Sequence, residues 1–507
     1  MPYFSLNSIT PHYWAIGTGF KSRGLDPLGI NGSSQIIIDK LLPGITTQTP
    51  RIRYYGLYCY LIDQYFKNKT TQEVISRDQH KFIKRGEIIT LFIMNELHRG
   101  FANIPGRDYY DYCKSNLGEE GFFSFASRQK YRKGTGDNFQ FYVNSLQILK
   151  CIKRHAYGYL ELLDEGKRIA ESYNHSISEE QRELFLSIIM SDGFNILDIK
   201  KLDDYSFSNI ISKSKEWRAY IRLFIGQEQS AITYRGISFL DYLRILNTND
   251  EFKYINKEFF IASYYARHID NIQFGKNHPS VGWYLYYVQS LLHRGLEHIF
   301  SSMLFYINQE CYNKEDFVNH LIDLFNTSEK DYKLSVKAYI DKYSQVFTED
   351  LYNELHLQDK RSNYPLVLCL SLKLILICYN LILQNFDELK DYLIANSLDF
   401  KRGGIVNIKL IFAKYHERSV TDFFRFLCNK IIKDHQQVGF ERMQNNNTTH
   451  RFVIQHNFLI WINKSSPGFV STRLNNLYKF LLDLQLVNPN ENMLSKEGHE
   501  VLESFRK

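Results

Sequence analysis

The chain has 507 residues, 44% of them apolar, and a formal charge of +7. That length suits roughly two to four domains, each able to bury its own core. So small a charge excludes a protein that coats nucleic acid along its whole length, yet leaves room for a local basic patch. The seven cysteines (Cys59, Cys113, Cys151, Cys311, Cys369, Cys378 and Cys428) are scattered and never form a C-x-x-C pair. Neither a disulfide framework nor a zinc ribbon is expected, and a reducing cytoplasm is the expected compartment.

The chain opens MPYFSLNSITPHYW, without the basic stretch and apolar core of a signal peptide, so none is expected. Residues 1–50 are dense in Gly and Pro and predict an irregular arm with one short helix over Ile36 to Leu42. Its glycines lack the G-x-x-x-x-G-K-[ST] spacing of a phosphate loop and are turn formers. Arg51-Ile52-Arg53-Tyr54-Tyr55 then begins an aromatic helix that runs to Phe66, and a second helix from His80 to His98 pairs with it. Arg51 and Arg53 suit either of two roles: phosphate contacts beside stacking rings, or partners for acids at the edge of an aromatic core. The densest basic run follows in SRQKYRKGTG, which carries Arg128, Lys130, Arg132 and Lys133. A basic loop of this kind is either a solvated surface or a phosphate contact.

Phe139 to Tyr173 changes character twice. Tyr142, Leu146, Leu149 and Ile152 mark one helix face, His155 to Tyr159 form a hairpin tip, Leu160 and Leu162 alternate as in a strand, and Asp164-Glu165-Gly166-Lys167 opens another helix. Lys153 and Arg154 lie on the hairpin. From Ser176 to His435 helix follows helix, beginning with the N-terminal signal Ser178-Glu179-Glu180-Gln181. The apolar run Leu366 to Leu383 contains Lys373 and Asn380, which predicts a buried core helix rather than a membrane span. Arg451 to Ile462 alternates on either side of His456-Asn457, a β-hairpin signal.

The last stretch, Thr472 to Phe505, repeats the earlier phrase. Leu474, Leu477, Tyr478, Leu481 and Leu482 recur at helical spacing; Met493-Leu494 form a return strand; Ser495 caps a final helix with Gly498 in its first turn. The words DLQLV…LSKEGHEVL resemble the DLGLI…LTxxGxxLL wing of bacterial winged-helix proteins, and Phe139–Tyr173 is similar to the same pattern. The resemblance implies a recognition helix in a groove of double-stranded DNA and a wing on its backbone. It would place Arg473, Asn476 and Lys479 on the exposed face of the C-terminal recognition helix, and Lys153 and Arg154 on the wing of the first module. The phrase LLPGITTQTPRIRYYGLYCYLIDQY resembles uncharacterised bacterial proteins of antiviral-defence and mobile-element loci. That implies an adaptor whose protein partner is an ATPase or an effector nuclease.

Catalytic patterns are absent. There is no G-x-S-x-G elbow, no H-E-x-x-H and no His/Cys cluster. His293 and His298 would stand about 140° apart on a helix, and His293 with Glu297 reads as a surface pair. Asp198-Ile199-Lys200 and Glu161 to Asp164 are fragments that could suit a two-metal nuclease, and no strand core is expected around them. The expectation is therefore a mainly α protein without cofactor, metal or membrane segment. Its segments are an arm (1–50), a helical and winged-helix-like domain (51–175), an α-helical middle domain (176–435) and a hairpin with a C-terminal winged-helix-like module (436–507). Its expected role is non-enzymatic DNA binding as an adaptor. The alternatives are a kleisin-like scaffold bridging an SMC-type ATPase, and a diverged nuclease.

Overall fold

A computed structural model describes residues 21–22, 26–68, 76–97, 107–115, 117–118, 121–125, 139–227, 232–248, 260–268, 272–273, 275–398, 404–443, 447–468, 470–488 and 493–505. Helices make up most of them, and the strands are short and paired two by two, so the fold is mainly α as its apolar periodicity predicts. The chain's contacts divide it into two units: Asp39–Tyr264 with Ser471–Lys507, and Met1–Ile38 with Tyr265–Val470. This grouping differs from the four expected segments. The hairpin Phe452–Trp461 and the final module, adjacent in sequence, belong to different units.

In the first unit, α1 (Arg53–Asn68) is buried along most of its length and α2 (Ser76–Leu97) packs beside it. There follow α3 (Phe139–Ile148), the hairpin β1 (Ile152–Arg154) and β2 (Leu160–Leu162), α4 (Asp164–His175), α5 (Lys215–Phe224) and α6 (Tyr234–Thr248). The last elements are α7 (Leu474–Asp483), β3 (Val487–Asn488), β4 (Met493–Leu494) and α8 (Lys496–Ser504). An aromatic core joins them. The Tyr55 ring meets Tyr142 of α3 at 5.1 Å, and Phe480 of α7 meets Phe224 of α5 at 5.2 Å, both edge to face. This packing is what draws the C-terminal module into the unit.

Three modules in this unit share one construction. After α3, Lys150 takes a left-handed φ of 55°; the Cys151 N–H then bonds back to the Leu146 carbonyl, and the Cys151 carbonyl accepts from the Leu163 N–H, each at 2.8 Å. After α7, Gln485 has φ 59°, Leu486 N–H bonds to the Leu481 carbonyl at 2.8 Å, and the Leu486 carbonyl accepts from Ser495 N–H at 3.0 Å. Between α5 and α6 a variant of this path recurs, with no left-handed residue ahead of the bonding carbonyl: Ile225 has φ −101° and the positive φ falls on Gly226 after it. Gly226 and Ile232 form an antiparallel bridge, and the Ile225 carbonyl accepts from Thr233 N–H at 2.8 Å. Each second helix then carries a glycine pressed on that carbonyl. A Cβ on Gly166, Gly236 or Gly498 would lie 2.0, 2.0 or 2.1 Å from the oxygen of Cys151, Ile225 or Leu486. The glycine of the LSKEG phrase is thus required by close backbone approach. The sequence phrase marks two of the three copies. The third is legible in Ile232-Thr233-Tyr234-Arg235-Gly236, where the Thr233 hydroxyl caps Gly236 N–H at 3.0 Å as the Ser495 hydroxyl caps Gly498 N–H.

In the second unit, the helix Pro279–Gln309 is buried over most of its 31 residues and crosses the helix Tyr364–Gln384 at Gly295. A Cβ at Gly295 would stand 2.8 Å from the Ser371 carbonyl. Tyr364–Gln384 is long and apolar enough to span a membrane, and 67% of its most apolar window is buried inside the protein, which is the expected core helix. The hairpin Phe452–Gln455 with Phe458–Trp461 turns at His456-Asn457, both with positive φ, as its alternation predicts. His293 and Glu297 correct an expectation: they are buried, not a surface pair. The Glu297 carboxylate accepts from Asn31, Arg294 and the Gly468 N–H, and burial holds its pKa above the ordinary carboxylate value.

Candidate nucleic-acid interface

The two arginines at the start of the aromatic helix serve the core. Arg53 is wholly buried and uses all five of its donors. Its Nε and Nη2 grip Glu216 at 2.9 and 3.0 Å; Nη1 reaches the carbonyls of Asp204 and Ser206; Nη2 also meets the Ser176 hydroxyl. Burial pulls its pKa down, the charge of Glu216 pulls it up, and the net shift is upward. Arg51 pairs with Asp483 at 3.0 Å, and burial raises that carboxyl to about 6 against the pull of the guanidinium. The second of the two roles open to them in sequence, core partners for acids, therefore applies to both.

The C-terminal helix expected to serve in recognition is also turned inward. Arg473 and Asn476, expected on an exposed face of α7, are buried. Arg473 pairs with Asp39 and donates to the Ile45 carbonyl at 2.7 Å, while Asn476 donates to the Thr46 carbonyl at 2.7 Å. Lys479 is half-buried and reaches the Asn476 side chain at 3.4 Å. The physical reason is that α7 is the packing face of its module, held by the rings above and by the Trp217 Nε1–H to the Leu484 carbonyl at 2.8 Å. Arg128, Lys130, Arg132 and Lys133 lie outside the described residues.

The first module differs, because the outer face of α3 stays open. Gln140 is half-buried, Asn144 is exposed, and both line a cleft of about 630 Å³ with the first turns of α2 and the wing. Ser76, Arg77, Gln79 and His80 come from α2; Arg154, Gly158 and Leu160 come from the hairpin. Three local contacts fix this geometry. The buried Glu87 carboxylate accepts from Phe139 N–H at 3.1 Å and so anchors the start of α3, where a negative charge also suits the helix dipole. Gln79 bonds both backbone groups of Leu160 and ties the hairpin to α2. Lys153 and Glu161, opposite each other in the hairpin register, pair at 2.8 Å. That bond to Lys153 holds the Glu161 carboxyl below its ordinary range.

Two cations remain for a ligand. Arg77 and Arg154 are exposed, line the cleft, and make no ion pair among the described residues. Arg154 is one of the two residues expected on the wing; the other, Lys153, is held by Glu161. Arg77 is not among the expected contacts, and no local pattern in the sequence marks it. Two guanidinium forks beside amide side chains make a surface for phosphate oxygens and base edges. Among the described residues, no three His, Cys, Asp or Glu side chains converge as a metal site requires. Asp198, one of the nuclease fragments, sits on a short helix and pairs with Lys201 at 2.9 Å. No protein family, curated protein or solved structure matches the chain.

Proposed function

We propose that this chain binds double-stranded DNA without cutting it, through the cleft of its first winged-helix-like module, and acts as an adaptor for a partner such as an ATPase or effector nuclease. The observation that carries the proposal is the pair of arginines, Arg77 and Arg154, on either side of the open face of α3, neither of them in an ion pair among the described residues. The other two modules serve as internal packing units. A winged helix contacts DNA through the helix before the wing and through the wing itself, and in the first module α3 and the hairpin both line the open cleft. Backbone contacts by arginine carry little sequence information, so binding is non-specific and salt-dependent.

The test is fluorescence anisotropy of a labelled duplex against the whole chain. Arg77→Ala and Arg154→Ala should each weaken binding to unrelated sequences alike, as loss of a phosphate contact does. Affinity unchanged in the double variant, or metal-dependent cleavage by the chain alone, contradicts the proposal.

A further inference from the structure

We infer that the tip of the β1–β2 wing is a base-stacking platform, and that the preferred ligand of the cleft is a duplex bearing an end or a single-stranded junction. This rests on the DNA-binding reading above and adds to it the class of structure recognised.

The tip is a defined turn rather than a loose loop. His155 N–H donates to the Tyr159 carbonyl at 2.8 Å, Gly158 N–H donates to the His155 carbonyl at 2.9 Å, and Gly158 takes φ 87°. Such a turn, closed by a glycine of positive φ, holds the side chains at its tip in fixed positions. Three rings form a stack upon it. His155 lies on Tyr159 at 4.4 Å with planes 16° apart, and Tyr157 lies on His155 at 5.2 Å with planes 31° apart. At the inner end, Tyr159 meets Phe66 of α1 edge to face at 6.2 Å. At the outer end Tyr157 is 79% exposed.

A lone exposed aromatic needs no explanation. An ordered stack ending in an open ring face is different, because a nucleobase is the ligand that continues it. Inside a duplex the bases show only their edges; a base face is available at an end or where a strand leaves the helix. Gly158 of the same tip lines the cleft that holds Arg77 and Arg154. The backbone therefore lies against the arginines while the terminal or flipped base covers Tyr157.

The experiment compares two labelled probes of one sequence, a covalently closed duplex circle, which has no end, and the same duplex in linear form with a single-stranded extension. The wild type should bind the extended probe roughly tenfold more tightly, the scale of one stacked base. Tyr157→Ala should bring that ratio close to one, and Tyr157→Phe, which keeps the ring, should preserve it. Circular dichroism confirms that each variant is folded. Equal binding of both probes by the wild type overturns this inference and leaves the DNA-binding reading standing, as does a preference that survives Tyr157→Ala. Binding of neither probe removes both.

Discussion

Gln79 holds Leu160 as a neighbouring strand would: its Oε1 accepts from the Leu160 N–H and its Nε2 donates to the Leu160 carbonyl, both at 2.8 Å. A side chain on α2 thereby satisfies both backbone groups of Leu160 and ties the β1–β2 hairpin to α2. Gln79 is buried, so its replacement by Leu leaves two backbone groups unsatisfied. Gln79→Leu should lower stability by about 2 kcal/mol. Urea denaturation measures this, and faster amide exchange at Leu160 than at Ile152 would locate the loosening in the wing.

Arg53 and Glu216 form a buried pair, in which the cost of leaving one charge alone exceeds the worth of the pair. Glu216→Leu should destabilise the chain by about 3–5 kcal/mol. The double variant Arg53→Met with Glu216→Leu should recover a large part of that loss. A double-mutant cycle by chemical denaturation checks this, and additive single effects would show the pair to be uncoupled.

His435 makes the second unit acid-sensitive. Its Nδ1 lies 3.0 Å from the Pro27 carbonyl and its Nε2 2.9 Å from the Arg451 N–H. Nε2 must accept, so Nδ1 carries the proton and the ring is neutral. Burial pulls the pKa down to about 3, with neighbouring His450 and Arg451 acting in the same direction. The unfolded chain, with a pKa of about 6.5, binds the extra proton first. The contribution is complete above that pH and is lost as pH falls through the interval toward 3, at up to about 1.4 kcal/mol per pH unit. His435→Gln should flatten the fall between pH 6 and pH 4, which urea midpoints at each pH measure.

The three pressed glycines should respond alike. Gly166→Ala, Gly236→Ala and Gly498→Ala each drive a methyl into a backbone carbonyl and should cost about 1–3 kcal/mol. Gly32 has nothing within 4 Å of its would-be Cβ, so Gly32→Ala should be neutral or stabilising. Thermal denaturation of the four variants tests whether the module between α5 and α6 is built as the other two are.

Local pattern is legible in this sequence and long-range pairing is not. The run Leu366 to Leu383 forms the helix Tyr364–Gln384, and the tip His456-Asn457 stands where the alternation breaks. Ser178 does begin a helix as expected, but its hydroxyl bonds Asp204 rather than capping the helix. Arg53 finds Glu216 at a separation of 163 residues and Arg473 finds Asp39 at 434, and no local signal carries such a pairing. An arginine destined for a buried acid and one destined for a phosphate therefore look the same in sequence. The module between α5 and α6 is hidden because the pairing among its described residues is a single bridge at Gly226 and Ile232, although its Thr233-x-x-Gly236 phrase is intact.

The cleft between α3, α2 and the wing is the proposed centre of binding, and the salt dependence of duplex binding tests it most directly. The logarithm of the affinity should fall linearly with the logarithm of salt concentration, and the slope should shrink by about 0.9 for each of Arg77→Ala and Arg154→Ala. A slope near zero in the wild type, or one that neither substitution changes, would contradict it.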